Sequence, residues 1–224
     1  MALTLDQAGR LLDPDPMALE MGIEWVTDTE LHVAARTDMP GCTGAMFEWW
    51  FRFAPDTRQY AWWHPLDHVS SEWVETSPET HVGSTHIVRE RLGGERVLRI
   101  HIHFCDPAEI IEATALADAR AAGAISGFVY ARSAAGEVPA RDAQGRPRQT
   151  RMAHVCRDTV DGMVLRSHWW LDHDRVDGEP ARASAAGGLG LVKHCNSEFK
   201  YLSGFLPALY AAENRDLETP ALPW

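Results

Sequence analysis

Basic side chains are scarce in this chain. Lys and Arg together number 21 against 32 Asp and Glu, a formal charge of −11. No basic run is present that could neutralise a row of phosphates, so nucleic acid and anionic membrane surfaces are excluded as partners. Long apolar runs are missing as well: no stretch approaches the ~18 residues of a membrane span. The N-terminal MALTLDQAGRLLDPDP lacks a basic segment followed by an apolar core, which points to a cytoplasmic protein. Cysteines number only four, Cys42, Cys105, Cys156 and Cys195, scattered and without a C-x-x-C. That argues for buried free thiols over a disulfide framework or a thiolate metal site. Neither G-x-G-x-x-G nor a P-loop occurs, so no nucleotide cofactor is implied.

Histidine and tryptophan, by contrast, are abundant. There are 11 His and 9 Trp, with Trp paired at Trp49-Trp50, Trp62-Trp63 and Trp169-Trp170. Such rings either fill a core or line a deep pocket for a flat, partly apolar ligand. The 224 residues suffice for one large domain, with or without an appendage. Met46, Trp49, Trp50 and Phe53 recur at i, i+3, i+4 and i+7, which predicts a helix over 43–53 between Pro40-Gly41 and Pro55. Short strands are expected within 23–36, a His- and Trp-rich loop over 59–73, and two strands at 83–92 and 96–105 around Gly93-Gly94. Residues 107–122 are helix-favouring, 125–132 read as a strand, and 134–148 as a mobile surface loop. A hairpin follows, 150–159 and 163–171, about the turn Asp161-Gly162. Residues 173–188 read as a loop, 189–213 as one long helix, and the Pro-containing end as a strap or homodimer arm. Sequential antiparallel strands before a long C-terminal helix give an α+β fold, a curved sheet wrapped on that helix.

Two juxtapositions carry chemistry. His194 and Glu198 are four residues apart in LVKHCNSEFKYLSGF, so on a helix they share one face. Imidazole and carboxylate are zinc ligands, although the same pair is also an ordinary solvated helical pair worth a few tenths of a kcal/mol. In the hairpin, taking Asp161-Gly162 as the two turn residues sets His154 opposite Trp169, and Cys156 opposite Ser167. His154 is then either a packed core residue or, on a cavity wall, a general acid–base. Glu90 shares a strand face with His86 and Val88, which lets it point into a cavity. His101 and His103 form a competing metal pair, but their face is opposite the apolar Leu98–Phe104 face, which predicts solvent exposure.

The segments MPGCTGAMFEWWF, YAWWHPLDH, THIVRERLGG, RDTVDGMVLRSHWWL and HCNSE together resemble the phloretin hydrolase and 2,4-diacetylphloroglucinol hydrolase family, over roughly residues 38–205. The resemblance implies a Bet v 1-like helix-grip fold. It also implies a zinc-dependent enzyme that hydrolyses the carbon–carbon bond between an acyl group and a polyhydroxylated ring, an acylphenol as small-molecule substrate. Carried over by position, it implies His68, Glu90, His194 and Glu198 as Zn2+ ligands, His154 and Tyr60 as catalytic residues, and Tyr60 and position 169 as substrate contacts. Two departures stand out. The stretch between His68 and Glu90 is shorter than the family's, and Trp169 replaces a tyrosine. Trp offers a donor and no acceptor, so substrate identity is the property most exposed to that change. The implied organisation is an arm with short strands over 1–37, a helix-grip catalytic domain over 38–213 and a tail over 214–224. A non-catalytic helix-grip carrier of a flat aromatic ligand, and a metal-dependent ester or amide hydrolase, remain as alternatives.

Overall fold

The computed structural model describes residues 2–174 and 182–215. Eight antiparallel strands form one sheet: β1 (Gly22–Trp25), β2 (Leu31–Pro40), β3 (His68–Val74), β4 (Thr85–Arg91), β5 (Val97–Cys105), β6 (Gly127–Ala135), β7 (Thr150–Thr159) and β8 (Gly162–Leu171). Their spatial order is β1-β2-β8-β7-β6-β5-β4-β3. The long C-terminal helix α4 (Ala185–Ser203) lies on one face of the sheet, in contact with β1 and β2. This is the α+β arrangement expected from the order of elements, and the helix-grip fold that the resemblance implies. The same face also carries α1 (Gly44–Phe53), α2 (Thr57–Trp63) and α5 (Leu206–Glu213). A core of Trp50, Phe47, Phe104, Leu165, Phe199 and their neighbours fills the space between.

Local chemistry explains the ends of these elements. Thr43 caps α1 by accepting from the Met46 N–H at 3.3 Å. Ala54 then turns left-handed at φ 54°, just before Pro55, and the helix stops. Asp56 and Gln59 form a reciprocal capping box that starts α2 directly afterwards. Ser184 caps α4 through the Gly187 N–H at 3.1 Å. The single helix expected over 189–213 is two helices, because the chain turns at Gly204-Phe205 and Pro207, inside the first turn of α5, lacks an N–H to continue α4. The helix expected over 107–122 is likewise a 3-10 turn, Pro107–Glu109, followed by α3 (Ala113–Ala121).

The hairpin exists, but its register differs from the expected one by two. Thr159 pairs with Gly162, so the turn residues are Val160-Asp161, His154 faces Ser167, and Trp169 faces Met152. Cys156 faces Leu165. Gly162 belongs to the strand because it packs against β2: a Cβ there would lie 2.4 Å from the Met39 carbonyl oxygen. Its φ of +150° is also one that side chains rarely adopt. His154 and Trp169 are nonetheless diagonal neighbours on one face, since residues two apart on a strand point the same way.

The opposite face of the sheet is covered too. The 3-10 segment Leu5–Leu12 and α3 bury Phe128, Tyr130, Ala153 and Trp170, and the Trp170 indole donates to the Leu3 carbonyl at 2.8 Å. His101, expected at solvent, is 4% exposed, with Arg141 and Glu137 of the loop after β6 close to it. The loop after β6, expected to be mobile, is tied down: Arg146 bonds Asp142 and Glu109, and Arg141 bridges to Pro147. The boundary expected after residue 37 falls inside β2, every residue of which pairs with β8. The expected strap or dimer arm at the C-terminal end lies largely outside the described residues. No described helix is long and apolar enough to cross a membrane.

Candidate metal centre and cavity

His68, Glu90, His194 and Glu198 come together in space although they come from three separate elements. His68 opens β3, where it pairs with Glu90 of β4; His194 and Glu198 are successive turns of one face of α4. All four are buried. The Nε2 atom of His68 lies 3.5 Å from the Glu90 carboxylate and 3.6 Å from that of Glu198. The Nε2 atom of His194 lies 3.9 and 3.8 Å from the same two groups. These spacings exceed a hydrogen bond. Four donor atoms thus face a shared gap and do not satisfy one another.

The outward nitrogens of both imidazoles are fixed. His68 Nδ1 is 2.9 Å from the Tyr60 carbonyl, so it carries the proton and leaves Nε2 as a lone pair. His194 Nδ1 is 3.0 Å from the Asp67 carboxylate. This is the carboxylate–histidine pairing that orients metal-binding imidazoles. Asp67 is itself held, its N–H donating to His64 Nδ1 at 3.1 Å, and the His64 ring stacks on His194 at 4.8 Å. Tyr60 stacks on His68 and donates its hydroxyl to Glu90.

Electrostatics tests whether a cation fits here. Burial pushes the Glu198 carboxyl up to about 8, and the nearby Glu90 and Asp67 carboxylates add to the rise. Burial opposes the His194 imidazolium, but Glu198, Glu90 and the Asp67 bond together outweigh it and raise its pKa. His68 Nε2 is buried with no hydrogen-bond partner. An orphaned nitrogen lone pair beside two buried carboxylates is a donor set that a divalent cation satisfies and that water-free protein does not. Ligand atoms of His68, His194 and Glu198 all lie within 4.8 Å of one another, as do those of His64, Asp67 and His194. The second group is the one already engaged in orienting His194.

A cavity of about 720 Å³ opens from this cluster. Tyr60, Glu90, His194 and Glu198 line it, as do His154 and Trp169; His68 stands just behind Glu90. Trp169 meets the His154 ring edge-on at 5.5 Å, and Phe47 and Phe199 pack against the same imidazole. Burial lowers the His154 pKa to about 3, so the ring is neutral. Its Nδ1 is 2.7 Å from the Ser167 hydroxyl, which leaves Nε2 as the ring's other functional atom. Every expected site residue is therefore found at one cavity or immediately behind it. Asp67, His64 and Ser167 are the functional-looking residues missed from sequence. Asp67 was visible beside His68, and a search for a carboxylate partner to each ligand histidine would have singled it out.

A protein-family model described as the DAPG hydrolase PhiG domain matches residues 3–211. A 2,4-diacetylphloroglucinol hydrolase of Pseudomonas protegens is 29% identical over an alignment covering 97% of this chain and 75% of the relative. A phloretin hydrolase of Eubacterium ramulus is 26% identical, with 86% and 72% covered. The solved structure of Ara h 8.0201 aligns with 84% of this chain and 99% of its own at 10% identity and a TM-score of 0.46. With a match running from the N-terminal arm to α5, the chain belongs to the DAPG hydrolase PhiG domain family.

Proposed function

We propose that this protein is a hydrolase that cleaves the carbon–carbon bond between an acyl group and a polyhydroxylated aromatic ring, with a zinc-class ion held by His68, Glu90, His194 and Glu198. The observation that carries the proposal is the convergence of these four donors on one gap at the wall of an aromatic-lined cavity. The relatives named as hydrolases of 2,4-diacetylphloroglucinol and phloretin support the substrate class. When bound, the ion would supply Lewis acidity toward an oxygen at this position and lower the pKa of a water there.

In the overall reaction, hydroxide from water ends on the acyl carbon, the aryl–acyl bond breaks, and one proton ends on the ring carbon. A carboxylic acid and a phenol leave. A polyphenol eases the break because its keto tautomer turns the departing carbanion into an enolate. Trp169 and Phe51 offer flat faces and edges that orient the ring. His154, neutral at rest, is in the form that takes up a proton and hands it on within the cavity. Tyr60, whose phenol burial keeps far above its usual pKa, stays protonated; it holds the Glu90 carboxylate and faces the cavity with its ring.

A carrier for a flat aromatic ligand would use the same cavity, yet it has no need of two imidazoles and two carboxylates buried around one gap. The test is direct. Metal analysis of the purified protein should find about one zinc-class ion per chain, and an acylphenol panel should yield a phenol and a carboxylic acid in equal amounts. Turnover of esters or amides with acylphenols untouched would replace the reading with the ester or amide hydrolase; metal-free protein that binds acylphenols without turnover would replace it with the carrier.

A further inference from the structure

His154 is held from behind the cavity wall, and by a neutral group. It pairs across the β7–β8 hairpin with Ser167, so the two side chains stand together on the inner face of the sheet. The Ser167 hydroxyl is 2.7 Å from His154 Nδ1, and Ser167 is 0% exposed. The same hydroxyl makes a side-chain hydrogen bond with the thiol of Cys195 on α4. Cys195 lies between His194 and Glu198 on that helix, and Phe199 packs against the His154 ring at 5.2 Å. One short stretch of α4 therefore holds two of the metal donors and backs the imidazole as well.

A serine hydroxyl has one proton to donate, and the direction in which it points decides the tautomer of the imidazole. Donated to Nδ1, it would leave the ring proton on Nε2, and the cavity would meet a donor. Pointed at the Cys195 sulfur, a weak acceptor, it leaves Oγ free to accept from Nδ1–H. The cavity then meets a lone pair. Only the second arrangement serves the neutral ring and the imidazolium alike, because both carry a proton on Nδ1.

We propose that Ser167, with Cys195 behind it, is a positioning residue that keeps the His154 proton on Nδ1 and presents the Nε2 lone pair to the cavity. The inference rests on the hydrolase reading for the use made of that lone pair. As water adds to the acyl carbon, Nε2 takes the proton that the water gives up. As the aryl–acyl bond breaks, the electron pair left on the ring carbon takes that proton from Nε2. Water and an acylphenol enter, a carboxylic acid and a phenol leave, and the imidazole ends as it began. The bond to Ser167 never has to be remade in a place closed to solvent. A carboxylate behind the ring would stabilise the imidazolium and hold its proton; a hydroxyl lets it go.

The tautomer can be read on the purified full chain with isotope-labelled histidine, since proton–nitrogen correlations tell a protonated ring nitrogen from a bare one. His154→Ala identifies the signals. Wild-type His154 should carry its proton on Nδ1. In Ser167→Ala the proton should move to Nε2, and kcat should fall about tenfold or more while KM and metal content stay close to wild type. Ser167→Thr keeps the hydroxyl and should restore the wild-type tautomer and most of kcat. Should Ser167→Ala misfold, Cys195→Ala asks the same question: a hydroxyl stripped of its sulfur acceptor turns toward Nδ1, and the proton should again move to Nε2. A wild-type ring protonated on Nε2, or a tautomer unchanged in Ser167→Ala, overturns the proposal even if kcat falls. The expected tautomers in a protein that cleaves no acylphenol leave the Ser167 relay standing and overturn the hydrolase reading instead.

Discussion

At the scale of single residues, the donor cluster makes the sharpest statements. Replacing Glu198 with Gln, or His194 with Ala, removes a charge or a lone pair from a site whose remaining members cannot satisfy one another. Both variants should lose bound metal and turnover together, read by metal analysis and by phenol release; full metal content with full activity would remove these residues from the ligand set. His154→Ala should behave differently, keeping its metal and its fold while turnover drops by about 10²-fold or more, as expected for a lost proton-transfer group. A fall in thermal stability with activity per folded molecule unchanged would make His154 a packing residue. Trp169 meets the His154 ring and cannot accept a hydrogen bond. Trp169→Tyr should therefore reorder kcat/KM among acylphenols of different hydroxylation, with metal retained. An unchanged order would make it an inert wall.

Among the elements, α2 has the most leverage for its size. Its seven residues carry Tyr60, whose carbonyl fixes the His68 tautomer and whose hydroxyl holds Glu90, and it leads through His64 and Asp67 into β3. Its start depends on the Asp56–Gln59 box. Asp56→Ala should cost about 1 kcal/mol of stability, seen in a urea midpoint, and should weaken metal retention against a chelator. Loss of stability with retention unaltered would mean that the helix positions nothing in the cluster. Neither α2 nor β3 was legible in the sequence. The helix is too short to show a period, and β3 is an edge strand with a register shift between His68 and Ser70. By contrast, α1 was legible because four aromatic and Met positions mark one face of ten residues. The face of Glu90 was legible because β4 alternates cleanly. The hairpin register was misread because Gly162 looks like a turn residue; only its contact with β2, more than a hundred residues earlier, makes it a strand residue. His101 was misplaced for a related reason: what covers its face comes from other parts of the chain.

Taken whole, the molecule buries many imidazoles. Burial lowers His154 to about 3 and His32 to about 4 from the usual 6.5, and holds His86 and His168 well below it. His32 and His168 share one hydrogen bond of 3.0 Å. The folded state therefore binds fewer protons than the unfolded chain below pH 6.5. Stability from these groups is complete above pH 6.5 and is lost as the pH falls toward 4, at up to about 1.4 kcal/mol per pH unit for each histidine. Urea unfolding at pH 8, 6.5 and 5 should give similar values at the first two and a clear drop at the third. His32→Gln should make that drop shallower. A flat profile from pH 8 to 5 would mean that the imidazoles are hydrated.

The pairing of β2 with β8 has a consequence in time. Leu31 meets Leu171 and Pro40 meets Gly162, so β2 can pair with β1 as it emerges from a ribosome but meets β8 only after well over a hundred further residues have been made. Until then the amide and carbonyl groups on the edge that faces β8 wait unpaired, and Trp170 has not yet arrived to receive the N-terminal arm. Contacts so distant along the chain close slowly and leave nascent edges open to other chains. His194 and Glu198 emerge later still, so an ion could not template the early sheet: the scaffold must close before the cluster exists. Synthesis rate and chaperone supply, more than metal supply, should govern the yield of folded protein in a cell.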